Sequence, residues 1–442
     1  MSDVLTLPWT TEDRARRIGG SAAEPAWLIA DRLAAIEIAG SLPIESNSLF
    51  TSYVDLRAAK LAEIEPYLET GDATEVSDGL PGGAAGLLEV RGDRVVARGM
   101  TAPLREAGVI VDTFANVLRS RPELLQRFLP GAPSLPGNDR FAQLARALWT
   151  VGALVYVPAG VRVGAPIVVR WGAGAAGRGL VSRTLVVLEE GASASVLEDL
   201  TPGDQDVSSQ SLWWGTLEVR LAPDATLDVA GLQDFGPSTV AFVNRHATLE
   251  RNASLRWALA SVGSQLQKSR IDNVLLGRGA TVHQAEIGFG SGSQLFDLTS
   301  YTRHIGEDTT GDLLSKGVFL DRARGYFKGL IEIHKSARGT DSYLGEFAML
   351  LAKRARSVAI PSLEIDQPDV RRASHSSSVA PIDEGQLFYL QSRGLDLETA
   401  RRFIVLGFLE PVVARIPLPE AQERLRALLD RKWLPLAAAP AA

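Results

Sequence analysis

Apolar positions recur at helical spacing through the first third of the chain. Leu28, Ile29, Leu33 and Ile36 follow Pro25, a residue suited to a helix start, and Gly40 is the expected terminator. A second amphipathic stretch runs from Val109 to Phe128. Between them, positions 71–86 are rich in Gly and Asp, and Leu87 to Ala97 alternates around Arg91-Gly92-Asp93 like a small hairpin. The segment PGAPSLPG, Pro130 to Gly137, marks a boundary.

From Val151 to Ile365 the pattern changes to short β-type runs. A turn residue, a small residue and then alternating apolar positions recur as PAGVRV at Pro158, EGASASV at Glu190, PDATLDV at Pro223, RNASLRW at Arg251 and RGATVHQ at Arg278. Copies 27 to 33 residues apart, with no helical pattern between them, predict a solenoid whose coils stack their strands into parallel sheets. Gly-Ala turns also occur in β-sandwiches, which fit the fixed period less well. After Pro381 helical spacing returns, with starts at Asp383, Asp396 and Pro419. The run Phe403 to Leu409, FIVLGFL, is apolar on every side. Packing against neighbouring helices is the commoner reason for such a run, and its peripheral place leaves part of it for a partner. The chain thus divides into an N-terminal helical region with a small hairpin (1–137), a mainly β solenoid core (138–380), a C-terminal helical domain (381–434) and a flexible tail (435–442).

The segment Ala373 to Leu395, ASHSSSVAPIDEGQLFYLQSRGL, carries the clearest local signal. Ile382 reads as a hydrophobic staple onto Leu387, Asp383 as the N-cap, Gln386 as its reciprocal partner and Gly394 as the stop. The serine-rich run before that helix is therefore expected to be a held loop around His375.

Composition narrows the function. With 442 residues, 45% of them apolar, the chain can bury a large core in two or three domains. A net charge of −6 without basic runs argues against nucleic acid or an anionic membrane as partner. The N-terminus has acidic residues and no signal-peptide core, and no apolar run approaches a membrane span, so a cytosolic location is expected. The absence of cysteine removes disulfides, thiolate ligands, sulfur relay and thiol nucleophiles. Any metal chemistry must use histidine, carboxylates or a partner's ligands.

Five histidines, His246, His283, His304, His334 and His375, are too scattered for a compact metal motif. His304 has Glu307 and Asp308 nearby, a possible carboxylate cluster, though a solvated turn is the commoner reading. His283 and His334 lie in strand-like runs and need no special role. His375, among Ser374, Ser376, Ser377 and Ser378, is the candidate ligand. A serine nucleophile there lacks a Gly-x-Ser-x-Gly elbow. No phosphate-binding signature occurs, and GFGSGS from Gly288 fits a solenoid turn, so any nucleotide-driven work belongs to another subunit.

Several passages resemble the SufB/SufD family of iron–sulfur cluster assembly proteins, and its SufD branch most. GALVYVPAGVRVGAPIVVRW from Gly152 and RTLVVLEEGASASVLED from Arg183 are similar to the opening coils of the family's β-helix. KGVFLDRARGYFKGLIEIHKSARGTDSY from Lys316 resembles its late-core signature, and SHSSSVAPIDEGQLFYLQSRGL from Ser374 its Ser-His loop and LFYL-x-SRG helix. FTSYVDL from Phe50 is a weaker match. The resemblance implies a right-handed parallel β-helix flanked by helical regions, and a non-enzymatic scaffold. In that family SufB and SufD pair through their β-helices, each binds a SufC ATPase through its C-terminal helices, and a nascent cluster forms near the SufB/SufD interface. Carried over, His375 matches the histidine implicated in cluster formation. Asp383 to Gly407 would contribute to the ATPase surface, with Asp383, Leu387, Phe388, Tyr389, Arg393 and Phe403 as contacts.

The departures are specific. Ala373 stands where many relatives have a cysteine, and Ser376, Ser377 and Ser378 replace Gly-Ala-Thr. The absence of thiols argues strongly against the SufB role, and the chain can at most lend a histidine or oxygen ligand to a transient iron–sulfur cluster shared with a partner. Two other readings stand beside this one: a solenoid carbohydrate lyase or hydrolase, which lacks an obvious acidic pair among the coils, and a purely structural adaptor. Self-association through an exposed sheet edge is an alternative to the heterocomplex.

Overall fold

The computed structural model describes residues 7–70, 80–130, 135–203, 208–416 and 419–432. The tail, part of the Gly/Asp-rich stretch and part of the PGAPSLPG boundary lie outside the described residues.

The core is a parallel β-solenoid of about eight turns. From Val151–Val157 onward, successive strands alternate between two ten-stranded sheets, so each pairs in parallel with the next but one in sequence. The first sheet runs from Ile110–Thr113 to Arg356–Ile365, and the second from the Gly86–Met100 hairpin to Arg372–Pro381. The hairpin forms as expected, with antiparallel strands Gly86–Arg91 and Arg94–Met100.

One corner explains the sequence repeat. Gly160, Gly191, Asp224, Asn252, Gly279, Asp308 and Gly339 all have positive φ, and each donates its backbone N–H to a carbonyl of the next coil. Gly, Asn and Asp tolerate this left-handed conformation best, which is why they punctuate each coil. The five sequence copies are five of these seven corners.

Inside, Val196, Val229 and Trp257 stack in register through successive coils, with Leu255 and Leu259 beside Trp257 in a continuous apolar core. Outside the first sheet, N-terminal helices cover Trp214 and Phe242, whose rings lie 4.8 Å apart and meet Phe141. Buried Arg32 ties these helices down: it pairs with Glu24 and donates to the carbonyls of Ala147 and Trp149 at 2.9 Å. On the second sheet the outer rows are small, Ala230, Ala258 and Ala285, and they admit Val405, Leu409, Leu425 and Leu429 from the C-terminal helices.

Three local expectations change. Val109 to Phe128 begins with a strand, Ile110–Thr113, because it pairs with Val151–Val157, and Pro122 splits the remainder into two helices. Gly40 lies within the helix Ala26–Ser41 rather than ending it. The serine-rich run is not a loop: Arg372–Pro381 is a strand in parallel register with Asp341–Leu350. Its polar composition follows from its place in the last coil, where no further coil covers it.

Candidate assembly surface at the open end of the solenoid

The solenoid ends on two strands with one unpaired edge each, Arg356–Ile365 and Arg372–Pro381. Unpaired edges carry free N–H and C=O groups suited to another chain. Side chains that would face the lumen in any earlier coil are here open. His375 pairs in register with Leu344, which packs with Leu313, Ile331 and Ile333 between the sheets. His375 therefore projects from the inner face and is exposed. Ala373 and Ser377 share that face by alternation. On the other face, the hydroxyls of Tyr343 and Ser376 meet at 2.5 Å. Ile365 and Val379, 46% and 39% exposed, add uncovered apolar area that sequence reasoning missed. Their alternation within the terminal coil was the available signal.

The other histidines are accounted for within the fold. His304 is fully buried, with Nδ1 2.8 Å from Thr309 Oγ1 and Nε2 3.0 Å from Ser342 Oγ, and burial lowers its pKa to about 4. It is thus a neutral core residue, neither part of a carboxylate cluster nor in a solvated turn. Its neighbour Asp308 instead pairs with Arg278 and Arg371. Buried His246 lies 3.3 Å from Asp272, a carboxylate that burial would raise but that Arg270 and His246 together hold well below the usual range. His283 lies 3.7 Å from Asp312 and His334 3.9 Å from Glu332. Among the described residues, no three His, Cys, Asp or Glu side chains are grouped to hold a metal. His375 thus offers one imidazole lone pair, and further ligands must come from elsewhere.

The lumen does contain two acids that were not evident in the sequence. Glu286 and Glu346 share one inner row with Ser315 between them. Burial raises their pKa values to about 7 and about 8; Arg245 partly offsets the first, and repulsion from Glu286 adds to the second. Both side chains are 2% exposed, so no polysaccharide reaches them.

C-terminal to the open end, Asp383 caps the helix Glu384–Ser392 by accepting the Gln386 N–H at 2.7 Å, and Gly394 at φ 95° ends it. This helix and Leu397–Val413 present Phe388, Tyr389 and Phe403 at 74%, 57% and 66% exposure. Leu387 instead turns inward and is buried, so it supports the patch from beneath. Arg393 lies over the Tyr389 ring at 5.3 Å. Met349, Leu390, Ile404 and Phe408 line the groove between the helices, a cavity of about 750 Å³. Leu397, at the start of the second of these helices, is 40% exposed and was not singled out in the sequence.

These features define a class: a solenoid scaffold with an uncovered terminal coil and an apolar helical patch beside it. The core-domain pattern of the SufBD proteins of SUF-system FeS cluster assembly matches residues 171–408. Iron–sulfur cluster assembly SufBD family proteins of Staphylococcus epidermidis, Staphylococcus haemolyticus and Staphylococcus aureus are each 26% identical over 437 residues, covering 95% of this chain and 92% of theirs. The chain belongs to the SufBD family of iron–sulfur cluster assembly proteins. No helix among the described residues is long and apolar enough to cross a membrane.

Proposed function

We propose that this chain is a SufD-like, non-enzymatic scaffold subunit that works in the cytosol with a SufB-like partner and a SufC-like ATPase. The observation that carries this reading is His375, which projects from the uncovered inner face of a terminal coil between two unpaired strand edges. A SufB-like chain docking on those edges would cover the coil and bring thiolates opposite the imidazole. His375 would then lend a neutral nitrogen to a nascent cluster, which is the cargo of the assembly. The lack of cysteine in the chain gives it the accessory half of such a site.

The exposed Phe388, Tyr389 and Phe403 fit the ATPase contact, because aromatic side chains in a shallow groove are the anchors of protein interfaces. Nucleotide-driven movement of that partner would shift the paired scaffold between states through differential contacts. Co-expression of the chain with SufB-like and SufC-like proteins tests the reading. A stable complex that accumulates iron and sulfide is expected, and failure of both partners to co-purify would overturn it.

A further inference from the structure

Far from the open end, near the hairpin that starts the second sheet, lies a cavity of about 720 Å³ walled by arginines from three separate elements. Arg91 and Arg94 flank the hairpin turn, Arg170 comes from the strand Ile167–Gly172, and Arg424 from the last helix. Three of these arginines form an unbroken chain with two carboxylates. Arg91 pairs with Glu89 at 2.8 Å, Glu89 with Arg170 at 2.9 Å, Arg170 with Asp199 at 2.7 Å, and Asp199 with Arg424. Three guanidiniums thus share two carboxylates, and among the described residues this network carries one more positive than negative charge. Arg94 contacts Asp93 only loosely, at 3.9 Å.

The inner part of this chain is structural, because Glu89 and Asp199 are 7% and 0% exposed and need cations beside them. The two ends differ. Arg91 and Arg424 are 70% and 32% exposed, each has a single carboxylate partner among the described residues, and each lines the cavity. A guanidinium has five N–H donors, so both retain donors for a planar oxyanion. Tyr67 forms another wall, fixed by the Ala175 N–H at 3.3 Å and by Arg178 stacked 4.5 Å over its ring. The volume is within the range of small-molecule sites.

We propose that this cavity binds a small, multiply charged oxyanion of the phosphate or polycarboxylate type, held by Arg91, Arg94 and Arg424. The site is independent of the assembly surface and of the role proposed for it. Bidentate guanidinium contacts suit both ligand chemistries, so the probes distinguish them.

Isothermal titration of the purified full-length chain at low ionic strength with pyrophosphate and, separately, citrate tests this. Saturable one-to-one binding is expected for at least one probe, weakening steeply with added salt. Pyrophosphate binding tighter than citrate assigns a phosphoryl ligand, and the reverse assigns a polycarboxylate. The double variant Arg91→Gln/Arg94→Gln, at exposed positions, is expected to keep the wild-type melting temperature and lose at least tenfold in affinity. Arg424→Gln on a different element should lose affinity as well. No saturable binding of either probe, or unchanged affinity in both variants, would overturn the proposal.

Discussion

His375 stands over Leu344: the two are register partners in the last strand pair of the second sheet, one exposed and the other 1% exposed in the core. An imidazole placed there contributes little to folding, because no strand among the described residues stacks above it. His375→Ala is therefore expected to change stability by no more than about 0.5 kcal/mol. In the co-expressed complex the same variant should lower iron and sulfide content several-fold while the subunits still co-purify. Undiminished cluster content would remove His375 from the site.

The aromatic patch predicts the opposite separation. Phe388 and Phe403 are largely exposed, so Phe388→Ser and Phe403→Ser leave the core intact and should move the melting temperature little. Each is expected to weaken capture of the ATPase by tenfold or more, the behaviour of an interface anchor. Leu387→Ala, beneath the patch, should instead cost about 2–4 kcal/mol of stability, since that side chain is buried. If the exposed variants bind the ATPase as wild type does, the patch is not its docking site.

The lumenal acids make stability depend on pH. Glu346 is raised to about 8 in the fold from 4.5, so between those values the folded chain holds a proton that the unfolded chain has released. Stability then falls as pH rises through that window, by up to about 1.4 kcal/mol per pH unit for a single group. Below about 4.5 the contribution is fully present, and above about 8 it is gone. Glu346→Gln keeps the shape and removes the titration, so urea midpoints measured at pH 5, 7 and 8.5 should vary less than in wild type. Equal slopes for the two proteins would show that Glu346 is ionised in the fold.

The repeat made the solenoid legible because each copy marks a corner where the backbone must turn left-handed. Asp308 and Gly339 continue the same ladder, but around them the apolar alternation is interrupted by Thr309, Gly311 and Asp312 in one coil and by Thr340 and Asp341 in the other. The terminal strand was harder to read, since Ser374 to Ser378 has the polarity of a loop and its strand character comes from pairing with Asp341–Leu350. Tertiary pairing overrode local propensity there. Asp383, Asp396 and Gly394 were legible as caps because their roles are local. Which side of the run Phe403 to Leu409 faces outward was not legible in its pattern, because the run is apolar all round and only the alanine rows of the sheet decide which side is covered.

The corner ladder gives the sharpest stability test. Gly279 sits at φ 72°, and a Cβ there would come within 2.6 Å of Asn252 Oδ1 in the neighbouring coil. Gly279→Ala thus combines the left-handed penalty of about 1–2 kcal/mol with a contact that Asn252 must move to relieve. Gly160, at φ 70°, has the same backbone conformation with open space around its missing Cβ. Gly160→Ala should show the backbone cost alone. Chemical denaturation of the two variants separates the effects: Gly279→Ala is expected to be the less stable, and Asn252→Gly in that background should recover part of the difference. Equal losses in both single variants would mean that coil-to-coil crowding adds nothing to the backbone term.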